Sequence, residues 1–245
     1  GGGAPALTPT YFRLGPVVEV QPATFLGLWA SYDWMQYFGV LSHLQSFPNA
    51  RSDFSEGRIR VLAALPEADP LHPYAGGGTM LTLGANVNLK VGPLVIRDAF
   101  KGFLPNFRLR PGDAVMYEQL SDLLLGNKSF TLVNDLDLLL QLPRGFFAGI
   151  RYSAGVPLYG RGQGGADNDT HRVGPFVVWR IFDRDGDAFN QPTLAVVVNW
   201  YAKHRYRTGA ETHVAIPYFA LAFQTNGDLL PLPPAEKGDR QLDRT

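Results

Sequence analysis

An all-β fold, a single transmembrane antiparallel up-and-down β-barrel of about twelve strands, is predicted by three features of this chain. Successive strand-length segments alternate apolar and polar residues with a period of two, and the apolar side is continuous enough to face lipid. The polar side of the clearest segments holds small and amide residues (Gly84, Asn86, Asn88, Gly149, Ser153, Gly155, Asn199) rather than the lysine and glutamate of a water-facing sheet. No run of about 18 apolar residues exists, so any membrane crossing must be made by strands.

The strands follow in order. Segment 10–21 sets Phe12, Leu14, Val18 and Val20 opposite Arg13, Gly15 and Glu19, and 24–34 puts Leu26, Leu28, Ala30, Tyr32 and Trp34 on the outer face. Segments 36–47 and 58–65 alternate less cleanly. Segment 79–91 is regular, with Leu81, Leu83, Ala85, Val87, Leu89 and Val91 on one side. Gly102 and Pro105 interrupt 94–110, which reads as a bulged strand or as a strand followed by an irregular piece. The Pro111-Gly112-Asp113 turn introduces 114–125. In 130–142, Phe130, Leu132, Leu136, Leu138, Leu140 and Leu142 share one face, and after Pro143-Arg144-Gly145 the alternation resumes through 146–158. Segments 173–182, 193–205 and 214–224 complete the sheet. Counts of about ten or about fourteen strands are the alternatives.

An even count places both ends of the barrel domain, 10–224, on the periplasmic side. The long segment 159–172 is then extracellular and the turn at Pro143 periplasmic, while 67–78 and 183–190 become long periplasmic links. Residues 1–9 read as a flexible leading segment, and 225–245, proline-rich and charged, as a flexible polar tail.

Composition narrows the function. Basic and acidic residues balance at 22 each, leaving no electrostatic case for nucleic acid. The absence of cysteine excludes disulfides, thiolate metal sites and cysteine catalysis. Aromatic residues make up 12%, and Trp34, Tyr37, Phe38, Tyr159, Trp179, Trp200, Tyr201, Tyr206 and Phe223 fall near strand ends, where ring side chains favour the headgroup level.

Through the paired strands at 130–158 and the closing strands at 193–224, the chain resembles bacterial outer-membrane β-barrel proteins as an architectural class. That resemblance implies the outer membrane of a Gram-negative bacterium as location and its lipid as partner. It departs from the class in one respect, because Phe223 is followed by a polar tail instead of ending the chain.

No residue pattern predicts a catalytic, metal or cofactor site. Asp183, Asp185 and Asp187 read as a solvated turn, since the position that would carry an EF-hand glutamate is Leu194. Asp167, Asp169 and His171 share a loop rich in polar residues, and Gly160 to Gly165 lacks the lysine of a phosphate loop. His204 and His213 flank a loop without a nearby nucleophilic serine, which disfavours a lipid hydrolase or acyltransferase. The expected polar network lies in the lumen: Arg13, Glu19, Lys90, Asp135, Asp137, Arg151, Arg180, Lys203 and Arg205 fall on the inward side. Mixed signs predict ion pairing that narrows or closes the interior.

The expected function is accordingly non-enzymatic: a structural or interaction component of a cell-envelope machine for motility, secretion or surface assembly, holding envelope proteins through rim loops and tails. A small-solute channel is the alternative, and a soluble lipocalin-like barrel, with the apolar side inward, the competing fold.

Overall fold

The computed structural model describes residues 2–3, 6–40, 44–119, 121–183, 190–208 and 217–226. Its strands are β1 (Gly2–Gly3), β2 (Ala6–Leu7), β3 (Tyr11–Leu14), β4 (Pro16–Ala23), β5 (Leu26–Tyr37), β6 (Gln45–Phe47), β7 (Gly76–Val91), β8 (Leu94–Phe107), β9 (Val115–Glu118), β10 (Leu123–Gly126), β11 (Thr131–Gln141), β12 (Phe146–Pro157), β13 (Thr170–Arg180), β14 (Asn190–Lys203) and β15 (Tyr218–Asn226). The helix α1 covers Glu56–Ala63.

Twelve of these segments form one antiparallel sheet, in the order β1-β4-β5-β7-β8-β11-β12-β13-β14-β15, with β2 beside β3 and β3 beside β5. Because β1 and β2 share one lane and β3 and β4 the next, the sheet is ten lanes wide. Neighbours in space are neighbours in sequence throughout, as in a meander. No pairing joins the first lane to β15 among the described residues.

The break between β3 and β4 falls at Gly15, where a Cβ would lie 2.2 Å from the Tyr32 carbonyl oxygen and 2.8 Å from Asp33 Oδ1. Glycine is required there by close approach of the neighbouring strand. Within 1–9, read from sequence as a flexible leading segment, Gly2–Gly3 and Ala6–Leu7 are β1 and β2 at this edge.

Three predicted strands are absent from the large sheet. The predicted 36–47 strand ends at Tyr37, and Gln45–Phe47 pairs with β9 elsewhere. The predicted 58–65 strand is helical: Ser55 caps Arg58 N–H, Glu56 sits in the first turn, and Ile59 and Leu62 form the buried side. The predicted 114–125 strand doubles back as the β9–β10 hairpin, with Asp122 at φ 54° in the reversal. Conversely, β8 runs unbroken through Gly102 and Pro105.

The three short strands β10-β9-β6 make a second sheet on the concave side of the large one. Met116, Leu123 and Leu125 pack with Leu44 against Met35, Tyr37, Met80 and Phe107 of the large sheet. On the opposite side Val115 and Leu124 pack with Phe47, Phe54 and Leu62, which places α1 over them. Nearer the other end, Leu139, Phe176 and Val197 fill the concave side with apolar side chains.

The longer connections, 38–75, 108–130, 158–169 and the link from β14 to β15, join strands at one end, together with the tight turn 8–10 between β2 and β3; 24–25, 92–93 and 142–145 are tight turns at the other, where the link from β13 to β14 also lies. Segment 67–78, expected as a link on the short-turn side, therefore belongs to the long-loop end, because the predicted 114–125 crossing, counted between it and the Pro143 turn, is not part of the large sheet.

The two faces of the large sheet differ in chemistry. Leu28 and Trp34 on β5, Leu83 on β7, Phe100 on β8, Leu138 and Leu140 on β11, Ile150 on β12, Val173 on β13, Trp200 on β14 and Phe219 and Leu221 on β15 are all exposed on the convex side. Ser31, Asp33, Thr82, Asp135 and Arg172 line the concave side. The apolar side points outward, the reverse of a lipocalin-like arrangement.

Candidate functional site

A cavity of about 560 Å³ lies on the concave side beneath the inner sheet. Both margins of the large sheet contribute to it, through Tyr11, Arg13 and Val17 at one margin and Tyr218 at the other. Its charged lining comprises Arg13, Lys101 and Arg172 against Asp33, Glu118 and Asp135, with Trp29, Tyr37 and Phe103 as aromatic walls.

Period-two alternation sends these side chains inward. On β5, Trp29, Ser31, Asp33, Met35 and Tyr37 share one side while Leu28, Tyr32 and Trp34 take the other. Asp33 is only 1% exposed and accepts a hydrogen bond from Ser31 Oγ at 2.7 Å. Its other oxygen, Oδ1, lies 3.9 Å from Arg13 Nε, and neither of these two atoms has a hydrogen-bond partner. Trp29 stands directly opposite Gly84 on β7, and a Cβ at Gly84 would come within 2.1 Å of the indole. The missing side chain is the space the ring occupies.

The acids are mostly engaged. Glu118 accepts from Ser121 N–H at 2.7 Å and from the Ser121 hydroxyl. Asp135 accepts from Ser153 Oγ. The cations are freer: Arg172 lays its guanidinium 4.4 Å over the Tyr218 ring and 5.8 Å over Tyr201, with Nε and Nη1 buried and without hydrogen-bond partners. Lys101 lies 5.9 Å over Phe103.

The nine predicted lumen residues divide into separate groups. Arg151 and Asp137 form a two-pronged ion pair at 2.6 and 2.8 Å, with Asp135 on the same strand face. Arg13 lines the cavity. Glu19 and Lys90 are exposed toward the short-turn end, and Arg180 pairs there with Asp183 at 3.5 Å. Lys203 binds Asp167 at 2.8 Å and Asp169 at 3.3 Å at the long-loop end, so these two loop acids hold an ammonium. Arg205 leaves the sheet altogether and donates to the carbonyls of Ala50, Arg51 and Ser52 and to Asn168 Oδ1. His171, expected in the same loop, lies on β13 and meets Tyr152 Oη at 2.6 Å. Residues 184–189 and His213 lie outside the described residues.

A hub the sequence reading passed over fastens the inner sheet. Asp122 accepts from Tyr117 Oη at 2.7 Å, Tyr201 Oη at 2.8 Å and Arg207 Nε, and His204 Nε2 lies 3.3 Å away. The Tyr206 N–H donates to His204 Nδ1, leaving Nε2 on the side of Asp122. Burial alone would raise the Asp122 carboxyl, but His204, Arg207 and Tyr117 together hold it well below the usual carboxylate range. The same hub raises the Tyr117 hydroxyl, first through burial and then through the Asp122 charge. Arg207 also reaches Glu56 at 3.5 Å, tying in the start of α1.

A second cavity of about 500 Å³ lies between α1 and the β9–β10 hairpin, lined by Glu56, Arg60, Tyr117, Asp122 and Arg207. Tyr218 borders both cavities, and Arg172, which lines the first, stacks on its ring. Among the described residues no cluster of three or more metal-ligating side chains occurs. Comparison with family models, with curated proteins and with solved structures finds no match.

Proposed function

We propose that this chain is a non-enzymatic integral β-barrel of a bacterial outer membrane, with its interior closed by its own inner sheet, serving as a structural or interaction component of a cell-envelope assembly. The observation that carries the membrane reading is the exposed apolar row on the convex side of successive strands from β5 to β15, backed by a polar concave side. Soluble monomers rarely leave contiguous apolar patches beyond about 300–600 Å² uncovered. Long loops at one end and short turns at the other match the asymmetry of such barrels. Aromatic rings stand toward both ends, Trp34 and Trp200 near the long loops and the stacked Phe146 and Trp179 near the short turns.

Ten lanes are an even number, and closure between the first lane and β15 is the step this proposal adds. It is supported by the shared cavity, which Arg13 and Tyr218 both reach. The interaction role draws on the hydrogen bonds that tie together the described loops of the long-loop end. Arg205 and Arg207 cross-tie its loops, and Arg110 donates to the Ser46, Leu71 and His72 carbonyls while stacking 4.7 Å over Tyr74. A fixed rim loses little entropy on docking a partner.

The contact of the two cavities at Tyr218 favours a second reading, a narrow solute channel. Planar-bilayer recording of the reconstituted protein separates the two. The scaffold reading expects a folded, inserted and electrically silent barrel, with reproducible unitary steps as the contrary result. Neutralising Asp135, Asp137, Arg151 and Arg180 leaves a scaffold silent and opens a salt-bridged channel.

A further inference from the structure

We propose that the cavity beneath the inner sheet binds a small polyhydroxylated solute of mono- or disaccharide size. The argument rests on the lining and holds whether or not the convex side meets lipid. The volume, about 560 Å³, falls within the range of about 300–1,000 Å³ occupied by small-molecule sites.

Unmet hydrogen-bonding demand inside the cavity has both signs. Asp33, 99% buried by its 1% exposure, presents Oδ1 without a donor, and Arg13 Nε, 3.9 Å from it, lacks an acceptor. Both atoms are closed off from the cavity as the side chains stand, so a shift of the Arg13 side chain admits one hydroxyl at about 2.8 Å from each, donating to the carboxylate and accepting from the guanidinium. Arg172 offers two further buried N–H groups at another part of the wall.

The charge balance excludes the simpler ligands. A carboxylate brings no donor for Asp33, and a carboxylate or phosphate meets Asp33, Glu118 and Asp135 together, whereas an ammonium brings no acceptor for Arg172 and meets three cations. A neutral molecule with several hydroxyls serves both. Trp29, held against Gly84, adds a rigid aromatic wall suited to the C–H side of a sugar ring.

The test is saturation-transfer-difference NMR on the full chain folded in detergent micelles, with glucose and sucrose as probes at millimolar concentration and benzoate and benzylammonium as comparators. Wild type is expected to transfer saturation to a sugar and to neither comparator. Arg172→Gln and Asp33→Asn are each expected to weaken sugar binding at least about tenfold. Circular dichroism confirms folding, and Trp29→Leu replaces either variant if it fails to fold. Three results overturn the proposal: no transfer to either sugar, in which case solvent alone serves the unmet atoms; equal transfer in folded variants; or preferential transfer to a charged comparator. Sugar binding by a chain that does not insert into bilayers defeats only the membrane reading, and insertion without sugar binding defeats only this one.

Discussion

Arg151 grips Asp137 from the facing position on the neighbouring strand, Nε to Oδ1 at 2.6 Å and Nη2 to Oδ2 at 2.8 Å, while its guanidinium rests 4.1 Å from the centre of the Phe176 ring. Asp137 is 2% exposed. The pair marks the level at which the concave side changes from polar lining to the apolar fill of Leu139, Phe176 and Val197.

Removing one partner leaves a buried charge uncompensated. Arg151→Met is expected to destabilise the fold by about 3–5 kcal/mol, and the joint replacement Arg151→Met with Asp137→Leu by clearly less, since both charges then leave together. Denaturant midpoints of the folded protein in detergent check the difference.

The Asp122 hub makes the inner sheet sensitive to acid. Its carboxyl is depressed in the folded state, so the stabilisation it supplies is fully present above the unfolded carboxylate value of about 3.9 and is lost as pH falls toward the folded one. Asp122→Asn is therefore expected to cost stability at neutral pH, with the gap to wild type narrowing as pH drops below about 4. Unfolding curves of both proteins across that range measure the gap.

Gly84 gives Trp29 its place. Gly84→Ala is expected to cost about 1–3 kcal/mol through overpacking and to displace the indole into the cavity. A shift in Trp29 emission, isolated in a background where Trp34, Trp179 and Trp200 are phenylalanine, reports the displacement.

Arg205 ties residues 50–52 to Asn168, and Asn168 in turn donates to the Ala50 carbonyl and to Tyr159 Oη. Arg205→Met is expected to speed proteolysis within 48–53 and 159–169 while leaving the strands protected. Limited proteolysis with mass mapping locates the cuts.

Much of this architecture was legible where one side of a strand is uniformly apolar. Leu136, Leu138 and Leu140 against Asp135 and Asp137, and Ile150 and Tyr152 against Arg151 and Ser153, divide each strand into two sides, since a one-residue slip would invert every side chain, while the inward side was read from the small and amide residues of the polar face. Segment 58–65 misled because Arg58, Ile59, Arg60 and Val61 alternate like a strand, and only the Ser55-Glu56 start signals a helix. Segment 114–125 misled because both sides of the inner hairpin are buried, Val115 and Leu124 under α1 and Met116, Leu123 and Leu125 against the large sheet, so it reads as a continuous apolar strand. Of the cavity lining, Arg13 and Asp135 followed from alternation. Asp33 and Trp29 were available from the same parity on β5, whereas Arg172 was assigned to a loop because β13 begins earlier, at Thr170, than its apolar pattern suggests. The Asp122 hub joins residues 117, 122, 201, 204 and 207, and no local pattern announces a contact of that sequence separation.

The outward apolar face is tested most directly by fluorescence quenching. The chain has four tryptophans, and Trp29→Phe removes the inward one, leaving Trp34, Trp179 and Trp200 on the convex side. Folded into vesicles of lipids brominated along the acyl chain, this variant is predicted to lose most of its emission relative to unbrominated vesicles. Undiminished emission from a folded chain that stays in the aqueous fraction would contradict the membrane assignment.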